Sequence, residues 1–175
     1  MNIILIVTAF LGLIFLLYGL VIYCFTRVPH VITPISKIKT ILENLDVKNK
    51  IIYDLGCGKG DFLFSLEKFG PAKLVGFELS PLLVWWGKFK AKIKNSKVEI
   101  KRKNFFNVDI VKADIIYLFL VQAVINKLAV KIIKEAKPGA EIICLADQVP
   151  GLVPTKVIES NPGGKFKVKI YFYKK

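Results

Sequence analysis

Ile51-Ile52-Tyr53-Asp54-Leu55-Gly56-Cys57-Gly58-Lys59-Gly60 joins a short apolar run to three glycines at alternate positions. The run from Lys50 to Leu55 reads as a buried strand. The glycines permit a tight turn in which backbone approaches a ligand that side chains would exclude. Asp61 to Phe69 continues in helical spacing, so the segment is strand, turn, helix. Lys73 to Phe77 predicts a second strand, ending at the acid Glu78. Ser80-Pro81 then caps a helix in which Leu82, Trp85, Phe89 and Ile93 form one apolar stripe, with Lys88, Lys92 and Lys94 pointing away from it. Further strands are expected over Val98–Arg102, Asp114–Phe119, Glu141–Leu145 and Lys167–Tyr173, with one more near Lys156–Glu159. Val121, Val124, Ile125, Leu128 and Ile132 mark a helix that Pro138-Gly139 ends. Repeated βα units imply an α/β fold: a Rossmann-like, doubly wound, mainly parallel sheet covered by helices on both faces.

The glycine turn carries the chemistry. Glu78 follows Asp54 by about 24 residues, as a βαβ unit requires, and a carboxylate there can accept hydrogen bonds from both hydroxyls of a ribose. The spacing Gly56-x-Gly58-x-Gly60 is not the G-x-G-x-x-G of a dinucleotide site, and Asp54 precedes it by two positions. An acid at that place suits a ligand with an ammonium group rather than a pyrophosphate, and S-adenosylmethionine is such a ligand. The plainer alternative is that Asp54 only caps the turn and Glu78 only caps the next helix.

Tyr53–Gly60, the acid in Gly76-Phe77-Glu78-Leu79-Ser80-Pro81, and Lys137-Pro138-Gly139-Ala140 before the fifth strand resemble class I S-adenosylmethionine-dependent methyltransferases over about residues 51–145. Val28-Pro29-His30-Val31-Ile32-Thr33-Pro34, Glu78–Trp86 and Asp114–Phe119 resemble, more narrowly, a small membrane-anchored family. Its relatives methylate lysines of the ATP synthase c-subunit and of the adenine nucleotide translocase. The class resemblance implies that Leu79 lies along the adenine and that Asn104 receives its amino group, at a position commonly held by Asp. It also implies that Phe105 stacks on or closes over the base, or else packs in the core. The methyl-accepting group would meet the end of the fourth strand. Many amino-methylating enzymes carry an N-P-P-Y-like motif there, whereas this chain has Tyr117-Leu118-Phe119-Leu120. Tyr117 and Phe119 fall on one face by strand alternation and could hold a cation by cation–π attraction. The alternative for Tyr117 is aromatic filling of a buried strand. No general base is identifiable.

Ahead of all this, every side chain from Ile3 to Phe25 is uncharged and most are strongly apolar. About 23 residues at ~1.5 Å rise reach ~34 Å, enough to cross a bilayer. The absence of a basic n-region and of an A-x-A-like site argues for a retained anchor over a signal peptide. Arg27, Lys37 and Lys39 follow the segment, which places the rest of the chain on the cytoplasmic side. The expected division is an anchor over 1–27 and a methyltransferase domain over 28–175. Pro34 and Thr33 are expected to start a helix, with Thr33 as its cap and Ile35, Ile38, Ile41, Leu42 and Leu45 laying a stripe on the domain.

The net charge is +14, from 27 basic and 13 acidic residues. Such a balance fits nucleic acid, an anionic membrane surface or acidic partners, or merely a solvated lysine surface. Cys24, Cys57 and Cys144 show no paired spacing, which fits a reducing compartment and no metal site. His30 is the sole histidine and leaves no material for triad or His–metal chemistry. The sequence therefore points to a membrane-anchored enzyme that N-methylates a lysine of a protein in or near the membrane. A lipid head group, a small amine or RNA are alternative acceptors, and a non-catalytic cofactor- or partner-binding domain is the alternative from another class.

Overall fold

The computed structural model describes residues 2–26, 33–160 and 168–175. Arg27, Val28, Pro29, His30, Val31, Ile32 and Lys167 lie outside the described residues. The chain runs α1 (Ile3–Thr26), α2 (Ile35–Leu42), β1 (Ile51–Leu55), α3 (Asp61–Leu66), β2 (Lys73–Glu78) and α4 (Pro81–Ile93). It continues with β3 (Glu99–Arg102), β4 (Ile115–Leu118), α5 (Gln122–Glu135), β5 (Glu141–Leu145), β6 (Lys156–Ser160) and β7 (Val168–Lys174). One sheet of seven strands has the order β3-β2-β1-β4-β5-β7-β6. Its first five strands are parallel, while β7 runs antiparallel to both β5 and β6. The order reverses beside β1, the place where open α/β sheets bind ligands.

Strand alternation sorts the core into two layers. Leu55, Phe77, Ile116, Leu118 and Cys144 meet α5 through Ile125, Leu128 and Ile132 on one face. Ile52, Leu74, Ile100, Tyr117, Ile143 and Phe172 meet α2, α3 and α4 on the other. Both faces of the sheet are covered, so central strands such as β4 are apolar without a break.

Two expectations are corrected. Thr33 does not cap α2: Pro34 holds the cap position with no side-chain bond, and the Thr33 hydroxyl instead bonds the Tyr117 hydroxyl at 2.9 Å. A buried phenol needs a partner more than a helix end that water can reach. The second concerns α4. An apolar helical stripe ordinarily faces a core, but Leu82, Trp85, Phe89 and Ile93 are exposed, and Trp86 with them. The buried side of α4 carries Val84 and Gly87. A Cβ at Gly87 would lie 3.1 Å from both Ile100 Cγ1 and the Lys59 carbonyl oxygen, so the bare glycine lets this side seat closely on β3 and the glycine turn.

α1 is long and apolar enough to cross a membrane and is exposed along its described side chains, apart from Tyr18, which is half-buried. The Tyr18 hydroxyl lies 3.3 Å from Ser80 Oγ and accepts from the Leu82 amide at 3.4 Å, at the start of α4.

Candidate functional site

Gly56, Gly58 and Gly60 all have positive φ (94°, 54° and 79°), the left-handed region that a side chain strains. The amides of Gly56 and Cys57 both donate to the Phe77 carbonyl, at 2.9 and 3.1 Å, which ties the turn to the end of β2. Gly60 then caps α3. A Cβ on Gly56 would stand 2.7 Å from Leu120 Cδ2 and one on Gly60 2.7 Å from Ile100 Cδ1. The turn therefore packs against both core layers, Leu120 on the α5 side and Ile100 on the other, and it lies at the C-terminal ends of the parallel strands.

The two acids flank this turn. Asp54 is buried, and its burial, followed by the Glu78 charge, holds its carboxyl well above the usual carboxylate range. Glu78 Oε2 accepts from the Gly58 amide at 3.0 Å, while Oε1 accepts from the Leu79 and Ser80 amides, each at 2.7 Å. Glu78 therefore does cap the start of α4, and it also fixes the glycine turn. A carboxylate has about four acceptor sites, and with both of those on Oε1 taken this clamp leaves one on Oε2 for a ribose hydroxyl. A buried acid for an ammonium, an oriented acid for a ribose and a bare backbone between them fit S-adenosylmethionine.

Leu79, next to Glu78, is exposed at the rim. Asn104 stands past β3, where its Oδ1 accepts from the Phe106 amide at 3.1 Å and caps the single turn Phe105–Asn107. That oxygen is shared with the backbone, which orients the side chain. Phe105 is half-buried against the α5-side core, 3.9 Å from where a Gly56 Cβ would stand. Glu78 and Phe105 thus border the glycine turn, while Leu79 and Asn104 stand past the ends of β2 and β3.

Tyr117 sits opposite Asp54 in the β1–β4 register, and its side chain packs in the α3-side layer. It is buried, its ring stacks on Phe62 at 3.8 Å between centroids, and its hydroxyl is bonded to Thr33. Burial, offset in part by the Thr33 bond, pushes this hydroxyl well above the usual phenol range, so it stays protonated at neutral pH. With its hydroxyl engaged and one ring face covered, Tyr117 packs as a buried member of the α3-side layer. Phe119, just past β4 on the same face, is half-buried and closer to solvent. Thr33, expected only as a helix cap, and Phe62, not singled out from the sequence, are the partners of Tyr117. Leu120, the residue after Phe119, packs in the opposite, α5-side layer against Gly56.

Comparisons with known proteins bear on the family and the fold. The ANTKMT methyltransferase domain family matches residues 54–156. A protein-lysine N-methyltransferase of Saccharolobus islandicus is 33% identical over 153 residues, covering 84% of this chain and 93% of that protein. An ATP synthase c-subunit lysine N-methyltransferase of Xenopus laevis is 25% identical over 131 residues, 74% of this chain and 58% of that one. Among solved structures, an RNA methyltransferase from Salinibacter ruber in complex with S-adenosyl-L-homocysteine superposes with a TM-score of 0.74 at 26% identity, covering 82% of this chain and 93% of that one. The glycine turn, its two acids and a match across more than half the sequence make this chain a member of the ANTKMT methyltransferase domain family and an S-adenosylmethionine-dependent methyltransferase.

Proposed function

We propose that this enzyme N-methylates a lysine of a protein lying in or against a membrane, with α1 as its anchor over residues 1–27 and the catalytic domain over 28–175 on the cytoplasmic side. The similarity to the Saccharolobus protein-lysine methyltransferase across most of both chains carries the acceptor class. The exposed apolar helix α1, in contact with the start of α4, supports the location.

When bound, S-adenosylmethionine supplies an electrophilic methyl group on a sulfonium, transferred by in-line displacement to a neutral nitrogen. Asp54 would hold the amino-acid end and Glu78 the ribose, while Leu79, Asn104 and Phe105 would border the base. Phe119, on the same sheet face as Tyr117 and closer to solvent, would border the incoming amine. Apolar surroundings disfavour the ammonium form of lysine, so they favour loss of its proton before capture. Tyr117, held as a neutral phenol, is not the base that removes it. Acceleration would come from alignment and from exclusion of water.

A second reading, methylation of RNA, is favoured by the net charge of +14 and by the Salinibacter structure. Full-length enzyme incubated with radiolabelled S-adenosylmethionine and its own membranes separates the two. Label is expected in a protein band that is sensitive to protease and resistant to ribonuclease, and in monomethyl- to trimethyllysine after hydrolysis. Label in RNA or in the lipid extract, with none in protein, would overturn the proposal.

A further inference from the structure

From the outward stripe of α4 we infer that this helix is an interfacial membrane helix, one that beds the domain on a phospholipid surface carrying anionic headgroups. The inference rests on the reading of α1 as a membrane span. Leu82, Trp85, Trp86, Phe89 and Ile93 recur at 3, 1, 3 and 4 positions and fall on one side of the helix, roughly a 100° arc at 3.6 residues per turn. Trp85 is 57% exposed and Ile93 68%. The rings form one block: Trp85 stacks on Phe89 at 5.6 Å, and Trp86 lies 6.0 Å from Phe89. A contiguous patch of two tryptophans, a phenylalanine and two aliphatics has no place on a freely solvated surface.

Three observations select lipid as the occupant. First, Tyr18 touches Ser80 and the Leu82 amide, so the start of α4 lies against the apolar helix itself. Tyr18 stands eight residues before the end of α1, about 12 Å along its axis. If α1 spans, that contact brings α4 down to the headgroup boundary rather than holding it clear of the bilayer. Second, the flanks are cationic: Lys88 and Lys92 lie along one edge of the stripe, Lys94 and Lys97 at its end, all exposed. Between Leu79 and Val98 the sequence has no acidic residue. Tryptophan at the interface with lysines reaching outward to headgroups is the composition of a helix lying in the membrane plane. Third, the opposite side of α4, Val84 and Gly87, is already committed to the domain. The consequence reaches the cofactor site: Ser80, the cap of α4, is two residues from Glu78, so a bedded α4 sets the ribose side of the site at headgroup level.

Trp85 and Trp86 are the two tryptophans of the whole chain, which makes intrinsic fluorescence a direct reporter of α4. Full-length protein is reconstituted in phosphatidylcholine–phosphatidylglycerol vesicles containing lipids brominated near the top of the acyl chain. The expected result is quenching of tryptophan emission by about twofold or more, weaker quenching by lipids brominated near the chain end, and poor access for aqueous iodide, as for an apolar face sunk ~5–10 Å into the boundary. Emission that iodide quenches and bromolipid does not would overturn the inference. Emission shielded from both would overturn it too, by showing that a protein, either a substrate or a second copy, covers the face. Alkaline carbonate extraction of the same vesicles tests the span separately. Resistant protein without bromolipid quenching leaves α1 as an anchor and removes α4 from the membrane. Extractable protein with quenching removes the span and keeps α4.

Discussion

Burial and the neighbouring Glu78 charge hold the Asp54 carboxyl well above its ordinary range in the free enzyme, whereas an ammonium beside it would favour the ionised form. The sign follows. Cofactor affinity rises with pH, by up to about tenfold per unit, until the raised folded-state value is reached, and is flat above it. Calorimetry of S-adenosylhomocysteine binding across the acid and neutral range should show this slope, with proton release in its lower part, and Asp54→Asn should abolish it. The same shift acts on stability in the opposite sense to a paired carboxylate. The ionised, buried acid costs the free domain stability as pH rises from the unfolded value. Asp54→Asn should therefore raise the melting temperature at neutral pH, by ~2–4 °C for each kcal/mol recovered, while weakening the cofactor. Glu78 calls for a different substitution. Alanine would strip an acceptor from the Gly58, Leu79 and Ser80 amides together, mixing structural with binding losses. Glu78→Gln keeps an acceptor and removes the charge. It should weaken S-adenosylmethionine by tenfold or more, since a charge-assisted bond contributes about 1.5 kcal/mol or more, with a native circular dichroism spectrum. Unchanged affinity would reduce Glu78 to a cap.

At the scale of elements, two glycines outside the turn, Gly76 and Gly87, let its neighbours close in on it. Gly76 on β2 lies beneath the turn, where a Cβ would stand 2.7 Å from Cys57 Cβ and closer still to its sulfur. Gly76→Ala should therefore push the turn out of place. The expected effect is a destabilisation of about 1–3 kcal/mol and loss of most cofactor affinity, read by denaturant melts and calorimetry. An alanine tolerated in both assays would mean that the turn is not held from below. The turn itself was readable from the sequence because glycines reach its backbone angles without strain, and the strands were readable because a sheet buried on both sides leaves apolar runs. The direction in which α4 faces was not. Periodicity identifies a stripe but carries no sign, and here the decisive residue was Gly87, on the side opposite the aromatics. Thr33-Pro34 followed local helix grammar, yet the Thr33 hydroxyl found its partner in Tyr117, on a strand 84 residues along the chain. Long-range pairs of this kind leave no trace in spacing, and for the same reason Phe62 gave no sign that it stacks on Tyr117.

At the scale of the whole molecule, the question is what α1 does for a reaction whose residues all lie elsewhere. Its 24 residues extend about 36 Å, and the seven-residue step from Thr26 to Thr33 can reach at most ~25 Å even if fully extended. If α1 spans a membrane, a domain so tethered cannot leave its surface. For an acceptor in the same bilayer, encounter then becomes nearly intramolecular, at an effective concentration of order mM for a short link. Lysines near anionic lipid would add attraction of roughly 1 kcal/mol each, screened beyond ~8 Å at physiological salt. None of these effects touches the glycine turn. A chain beginning after Arg27 should therefore bind S-adenosylmethionine as the full chain does, yet lose most of its methylation of native membranes. Replacing Ile3–Thr26 with an unrelated membrane-spanning helix that keeps a tyrosine at position 18 should restore methylation to within about twofold, since tethering depends on span and reach rather than on helix identity. The measurement is initial rate of label incorporation at matched enzyme, with a soluble lysine peptide as the control whose rate should not change. If the truncated enzyme labels membranes as fast as the full chain, α1 is not a device for positioning the enzyme on its substrate. The membrane-resident acceptor would then lose its physical support, while the cofactor site would stand.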